Sequence, residues 1–160
     1  MALTGRKPTG VVKTLLRLPL WLYRGRLGWV AGHRLVYIVH RGRRTGARHE
    51  VVAEVVRYDR STQEVVVVAA WGGHPDWYRN LKAGPAVEVR IAGQCWDHPA
   101  HRFLDGAETS QTLLAYQTAH PRMWRRVAPL LGFPRDPADP RWPELVEATH
   151  AIAFTPHAAR

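Results

Sequence analysis

The sequence predicts a mainly β fold with added helices, closed as a small antiparallel barrel. Three observations carry this. Runs of strand-forming residues recur at short intervals over Arg34–His40, Glu50–Tyr58, Gln63–Trp71, Ala86–Ala92 and Gln94–Phe103. Turn residues separate most of them, so neighbouring runs can pair antiparallel. One short helical stretch, Asp76–Ala83, interrupts the series, and the longer helical stretch Leu104–Leu131 follows it. Many short antiparallel strands leave no open edge when the sheet closes on itself.

At 160 residues with 46% hydrophobic composition, the chain is expected to form a single domain, 1–160, with a buried core. Within it we expect a basic amphipathic helix in residues 1–30, a barrel core over 34–103, and helices with a closing strand over 104–160. In Thr9–Trp21 and just beyond, Val11, Val12, Leu15, Leu16, Leu18 and Leu22 recur at mostly helical spacing, and Pro19 should kink that helix. Lys13, Arg17 and Arg24 beside Trp21, Tyr23 and Trp29 suit packing on the domain, covering a cleft, or lying in a membrane interface.

Arg34–His40 reads as the first strand. Arg41–Arg48 is then a hairpin turn loaded with guanidinium groups, with Gly42 and Gly46 supplying the turn. Glu50–Tyr58 returns, Asp59–Thr62 turns, and the valine-rich Gln63–Trp71 is the third strand. Ala69–Leu81, AAWGGHPDWYRNL, reads as strand end, glycine loop and helix start. Gly72 and Gly73 allow close backbone approach. Asp76 stands where an N-cap belongs, and Trp71, Trp77 and Tyr78 offer flat apolar walls. This segment reads either as a site for a planar, polar-edged ring or as a helix cap over core aromatics. Gly84-Pro85 breaks the helix; Ala86–Ala92 and Gln94–Phe103 follow as a hairpin about Gly93. Leu104–Leu131 is helical with a break at Pro121, and Gly132–Pro143, with four prolines, is irregular. Glu144–Thr149 is a final helical turn and Ala151–Thr155 the closing strand.

The net charge of +10 is unevenly placed. Residues 1–49 carry eleven of the 23 basic residues and no acid, so the whole surplus is N-terminal. Nucleic acid, an anionic membrane surface or a polyanionic small molecule would suit that field, as would plain solvent. Cys95 is the only cysteine, which excludes an internal disulfide and fits a reducing, cytoplasmic compartment. No apolar run reaches membrane-spanning length, and no cleaved-signal pattern opens the chain. Ser61 and Ser110, the only serines, sit in no nucleophile elbow. Phosphate-loop and dinucleotide fingerprints are missing. Cys95, His98 and His101 form the one close group of soft ligands, but strand alternation and Pro99 disfavour a shared metal. No metal is expected.

What remains is the cationic turn and the aromatic glycine loop, joined by strands that bring their ends to one rim. A ligand satisfying both has a flat heteroaromatic head and an oxyanion tail, for which guanidinium forks are suited. Flavin-like coenzymes and nucleotides both have that shape.

GRRTG at 42–46, AAWGG at 69–73, DWYRNL at 76–81 and GPAVEV at 84–89 together resemble the deazaflavin-dependent nitroreductases, also called coenzyme F420-dependent quinone reductases, of actinobacterial type. The likeness runs over roughly residues 10–155 and is densest over 42–90. It implies a split β-barrel of the FMN-binding type. It also implies binding of reduced coenzyme F420, an 8-hydroxy-5-deazaflavin, and hydride transfer to a quinone, nitro or enone-type acceptor. By the same resemblance Arg43 and Arg44 fall near the coenzyme's phosphate and acidic tail, with Arg48 beside them. Trp71, Gly72 and Gly73 match the loop against the deazaflavin; Asp76, Trp77, Tyr78 and Asn80 match the helix start at the ring edge. The chain departs from the family in Ala47-Arg48-His49, where a lysine-proline-arginine pattern is usual, in Trp71, where asparagine is common, and in the long Leu104–Leu131 segment. The coenzyme carries the hydride, so the protein's own proton donor is open: Tyr78 is preferred, with Tyr37, Tyr116, His74 or solvent as alternatives. An FMN-dependent split barrel and a basic nucleic-acid-binding barrel are the alternative readings. Under the preferred one the partner is a small-molecule electron acceptor, with no nucleic acid; the N-terminal helix is expected to pack on the domain, its contact with the inner membrane face being the alternative.

Overall fold

A computed structural model describes residues 32–69, 75–136 and 138–157. The expected N-terminal helix and the residues Trp71, Gly72, Gly73 and His74 of the glycine loop lie outside the described residues.

The strands are β1 (Leu35–Arg41), β2 (Arg48–Tyr58), β3 (Val65–Ala69), β4 (Glu88–Ile91), β5 (Gln94–Asp97), β6 (Ala100–Phe103) and β7 (His150–Thr155). Helix α1 (Asp76–Ala83) stands between β3 and β4, and α2 (Gly106–Ala119), α3 (Pro121–Leu131) and α4 (Trp142–Glu147) between β6 and β7. One antiparallel sheet has the order β5-β4-β1-β2-β3-β7-β6.

That order forces the sheet to curl. Strands β5 and β6 stand at opposite ends of it, yet only His98 and Pro99 lie between Asp97 and Ala100. So short a link reaches about 11 Å at most. A flat sheet would hold those strands roughly 29 Å apart, at about 4.8 Å per neighbour. The two edges must therefore approach each other, and the sheet is a split β-barrel. His98 makes the corner at a φ of +45°, and Pro99, lacking an N–H, ends the ladder. The sequence reading of Gln94–Phe103 as one arm of a hairpin is corrected here: it is two strands that pair with different neighbours, β4 and β7.

Strand alternation sorts the residues. Val36, Ile38, Val55, Val65, Val67, Val89, Ile91, Trp96, Ile152 and Phe154 point into the barrel. Tyr78 and Leu81, one turn apart on α1, complete that interior. The Tyr78 ring stacks on His150 at 4.7 Å and meets Phe103 edge-on at 5.4 Å. A ring nitrogen of His101 lies 3.1 Å from the Leu81 carbonyl oxygen. Helix α1 is thus tied to β6 and β7.

On the outer face of β2, β3 and β7 the later helices form a second layer. Leu113, Tyr116, Trp124, Ala128, Phe133, Trp142 and Val146 pack over Val56 and Val68. Asp105 caps α2 by accepting from the Glu108 N–H at 2.8 Å. Arg57 and Arg102 join this layer to the sheet: both pair with Glu64, at 2.6 Å and 3.2 Å, and donate respectively to Thr112 at 3.2 Å and Glu108 at 2.8 Å on α2. Burial alone would raise the Glu64 pKa, but its two arginines outweigh that and hold it low.

The closing strand expected at Ala151–Thr155 is β7, which lies between β3 and β6. Two boundaries differ from expectation. The last helix starts at Trp142 with Pro143 in its first turn, where a missing N–H costs nothing, so the irregular stretch ends earlier. Pro75, not Asp76, is the N-cap of α1, and its side chain makes no capping bond.

Candidate functional site

The end of β1, the 42–47 turn and the start of α1 enclose an open cleft of about 480 Å³. Its lining includes His40, Arg43, Arg44, His49, Asp76 and Asn80, with Glu50, Trp77, Gly42, Thr45 and Val51 completing the wall. That volume falls in the range of small-molecule sites.

The turn is shaped by its own backbone. Gly42 N–H donates to the Ala47 carbonyl at 2.8 Å, and Gly46 N–H to the Gly42 carbonyl at 2.7 Å. Gly46 sits at a φ of +66°, where a β-carbon is strained. A β-carbon on Gly42 would stand 2.9 Å from both His49 Nε2 and Thr45 Oγ1. Glycine there lets the turn fold back over the first residues of β2.

Asn80 locks the turn to the helix. Its Oδ1 accepts the Arg43 backbone N–H at 3.1 Å and the Arg43 Nη1 at 3.0 Å. Both partners are donors, so Oδ1 must face them, and Nδ2 is left to face His40 Nδ1 at 3.2 Å. His40 therefore accepts at Nδ1 and carries its proton at Nε2. Burial, and then the neighbouring His49, hold the His40 pKa below the ordinary imidazole value. Asn80 and His40 are 6% and 3% exposed.

Arg43 also reaches Asp76, with Nη1 and Nη2 each 3.2 Å from Oδ1. Arg44 forms no hydrogen bond or ion pair within the described residues. Glu50 receives a hydrogen bond from Tyr37, whose hydroxyl is pushed above its ordinary value by burial and by that carboxylate.

The residues expected from the sequence divide clearly. Arg43, Arg44, Asp76, Trp77 and Asn80 line the cleft together. Arg48 does not; it pairs with Glu88 of β4 at 3.3 Å. Tyr78 is 3% exposed inside the barrel and does not line the cleft. Nor do Tyr37 and Tyr116; the latter donates to Glu54 at 2.5 Å beneath α2. Sequence reasoning passed over His40, His49, Glu50 and Val51. Period-two counting from Val36 and Ile38 would have brought His40 to the inner face. Among the described residues no three side chains could jointly hold a metal, and no helix is long and apolar enough to cross a membrane.

Residues 15–126 match the sequence model of the F420H(2)-dependent quinone reductase family. The chain belongs to that family. Its cofactor is accordingly coenzyme F420, and its chemistry that of an oxidoreductase. In fold, this quinone-reductase family member is similar to a solved F420-H2 dependent reductase. The two are 19% identical, with a TM-score of 0.50, over 76% of this chain and 93% of that one. It is also similar to a protein of unknown function from Agrobacterium tumefaciens. That pair is 12% identical with a TM-score of 0.50, over 89% of this chain and 56% of that one. A general stress protein 26 relative of the pyridoxinephosphate oxidase family, from Clostridium acetobutylicum, is 12% identical with a TM-score of 0.47, over 86% of this chain and 84% of that one.

The cleft's donor set fits the coenzyme's anionic end. Two guanidiniums converge on it, one rigidly held and one without a partner among the described residues. A phosphate or carboxylate can take planar, forked hydrogen bonds from either.

Proposed function

We propose that the protein transfers a hydride from reduced coenzyme F420 to a quinone, with nitro and enone compounds as further acceptor classes, and that Arg43 and Arg44 hold the coenzyme's anionic tail. The observation that carries this is the anchoring of Arg43 by Asn80 in one cleft with Arg44, which has no partner among the described residues. One cation anchored by Asn80 and a second beside it support a tail at the 42–47 turn and leave the other end of the cleft for a ring. Trp77, half-buried in the cleft wall, offers a flat apolar surface toward that end.

When bound, the coenzyme supplies the hydride. The protein's share is to orient and to bind. Asn80 fixes Arg43 from two sides, so little motion is lost when an oxyanion arrives. Arg44 supplies the second positive charge. Among the described residues no tyrosine lines the cleft, so the accompanying proton is assigned to solvent, with His49 an exposed imidazole in the described wall.

Titration of the protein with reduced and oxidised F420, with FMN and an oligonucleotide as competitors, tests the reading. A quinone, nitro and enone acceptor screen completes it. Tight F420 binding that neither competitor displaces, with quinone turnover, is the expected result. Preference for FMN, or salt-steep oligonucleotide binding without F420 binding, overturns it.

A further inference from the structure

We infer that Asp76 is a built-in competitor for the coenzyme's tail, an internal anion that occupies Arg43 until a multiply charged ligand displaces it. The inference deepens the reading above and rests on it.

The carboxylate is placed for this role. Pro75, not Asp76, is the N-cap of α1. One oxygen of Asp76, Oδ1, stands 3.2 Å from both terminal nitrogens of Arg43, which is where a phosphate oxygen would sit. The Asp76 side chain is 70% exposed and that of Arg43 26%. A pair so open to water contributes little to stability and exchanges readily. Asn80, by contrast, is buried and grips Arg43 from its backbone and its guanidinium. Arg43 therefore has one permanent partner, which positions it, and one replaceable partner.

The charge count of the wall gives the consequence. Arg43 and Arg44 share the wall with Asp76 and Glu50, so among the described residues the lining charges balance although the chain carries +10. A ligand with a single carboxylate that displaces Asp76 swaps one such bond for another and gains little. A phosphate-bearing, multiply acidic tail can replace Asp76 at Arg43 and engage Arg44 as well. Asp76 thus discriminates against short or singly charged tails by removing the benefit of binding them. Glu50 cannot serve in the same way, because it takes the buried Tyr37 hydroxyl.

The test uses the whole protein and reads binding rather than turnover. F420 and the tail-less deazaflavin ring are titrated by fluorescence against wild type, Asp76→Asn, Asp76→Glu, Arg43→Ala and the Arg43→Ala/Asp76→Asn double variant. Melting temperature is followed with added pyrophosphate or acetate. Asp76→Asn should bind F420 about threefold to tenfold more tightly, with the bare ring unchanged. Pyrophosphate should raise its melting temperature more than that of wild type, and the acetate response should also grow. Asp76→Glu should stay near wild type, and in the Arg43→Ala background the gain from Asp76→Asn should vanish. Unchanged or weaker F420 binding by Asp76→Asn overturns the inference, as does an equal gain without Arg43. If Arg43→Ala itself leaves F420 affinity untouched, the tail-binding assignment has failed, a result distinct from failure of the competitor role alone.

Discussion

Replacing Asn80 with alanine removes the three hydrogen bonds that join the turn, the helix and the end of β1. Its Oδ1 serves the Arg43 N–H at 3.1 Å and Arg43 Nη1 at 3.0 Å, and its Nδ2 serves His40 at 3.2 Å. Each such bond contributes about 1 kcal/mol net, and the buried His40 acceptor left unpaired costs about 1 kcal/mol more. Water entering the open cleft restores part of this at Arg43. The expected loss is about 2–3 kcal/mol, or about 5–10 °C in melting temperature for a chain of this size. Urea unfolding followed by circular dichroism measures the free energy. Amide exchange at Arg43, read by NMR, should accelerate in parallel, because its N–H loses its acceptor. Asn80→Asp retains the acceptor toward Arg43 and asks His40 to move its proton to Nδ1, so it should lose less. A loss below about 0.5 kcal/mol with unchanged Arg43 exchange would refute the view that Asn80 is the lock.

Two further predictions concern titrating groups in the two layers. His40 has a folded pKa below its unfolded value of about 6.5, so the unfolded chain binds the proton first and stability declines as pH falls below about 6.5. In His40→Gln, whose amide oxygen can still accept from Asn80, the decline between about pH 7.5 and about pH 5 should be shallower, as read from urea midpoints. Tyr116→Phe removes the hydroxyl that donates to Glu54 and should cost about 1–2 kcal/mol by the same unfolding assay. Burial and Glu54 hold the Tyr116 pKa far above 10, so wild type should lose stability as pH rises past about 10, and the phenylalanine variant should lack that part of the loss.

The barrel was legible because short runs of strand-forming residues recur, as in Leu35–Arg41 and Val65–Ala69, and turn residues bound most of them. The break inside Gln94–Phe103 was less legible. Nothing local says that Asp97 ends a strand at one sheet edge while Ala100 begins one at the other; only the closed sheet makes that corner useful. The misplaced cap has a similar origin. Asp76 has the right chemistry and nearly the right position for an N-cap, but a guanidinium from a turn 33 residues earlier competes for it. The site was half legible. Arg43, Arg44, Trp77 and Asn80 were readable as a motif, whereas the roles of His40 and Glu50 depend on β1–β2 register and on α1 docking. Arg48 shows the converse: it sits in the cationic turn by sequence, yet its strand position turns it to Glu88.

The proposed grip of Arg43 and Arg44 on the coenzyme's charged tail is read out by titrating Arg43→Ala/Arg44→Ala with F420 and, separately, with the tail-less deazaflavin ring. F420 affinity should fall about tenfold or more while the bare ring changes by less than about twofold. Equal losses for the two ligands, or no loss for either, would contradict it.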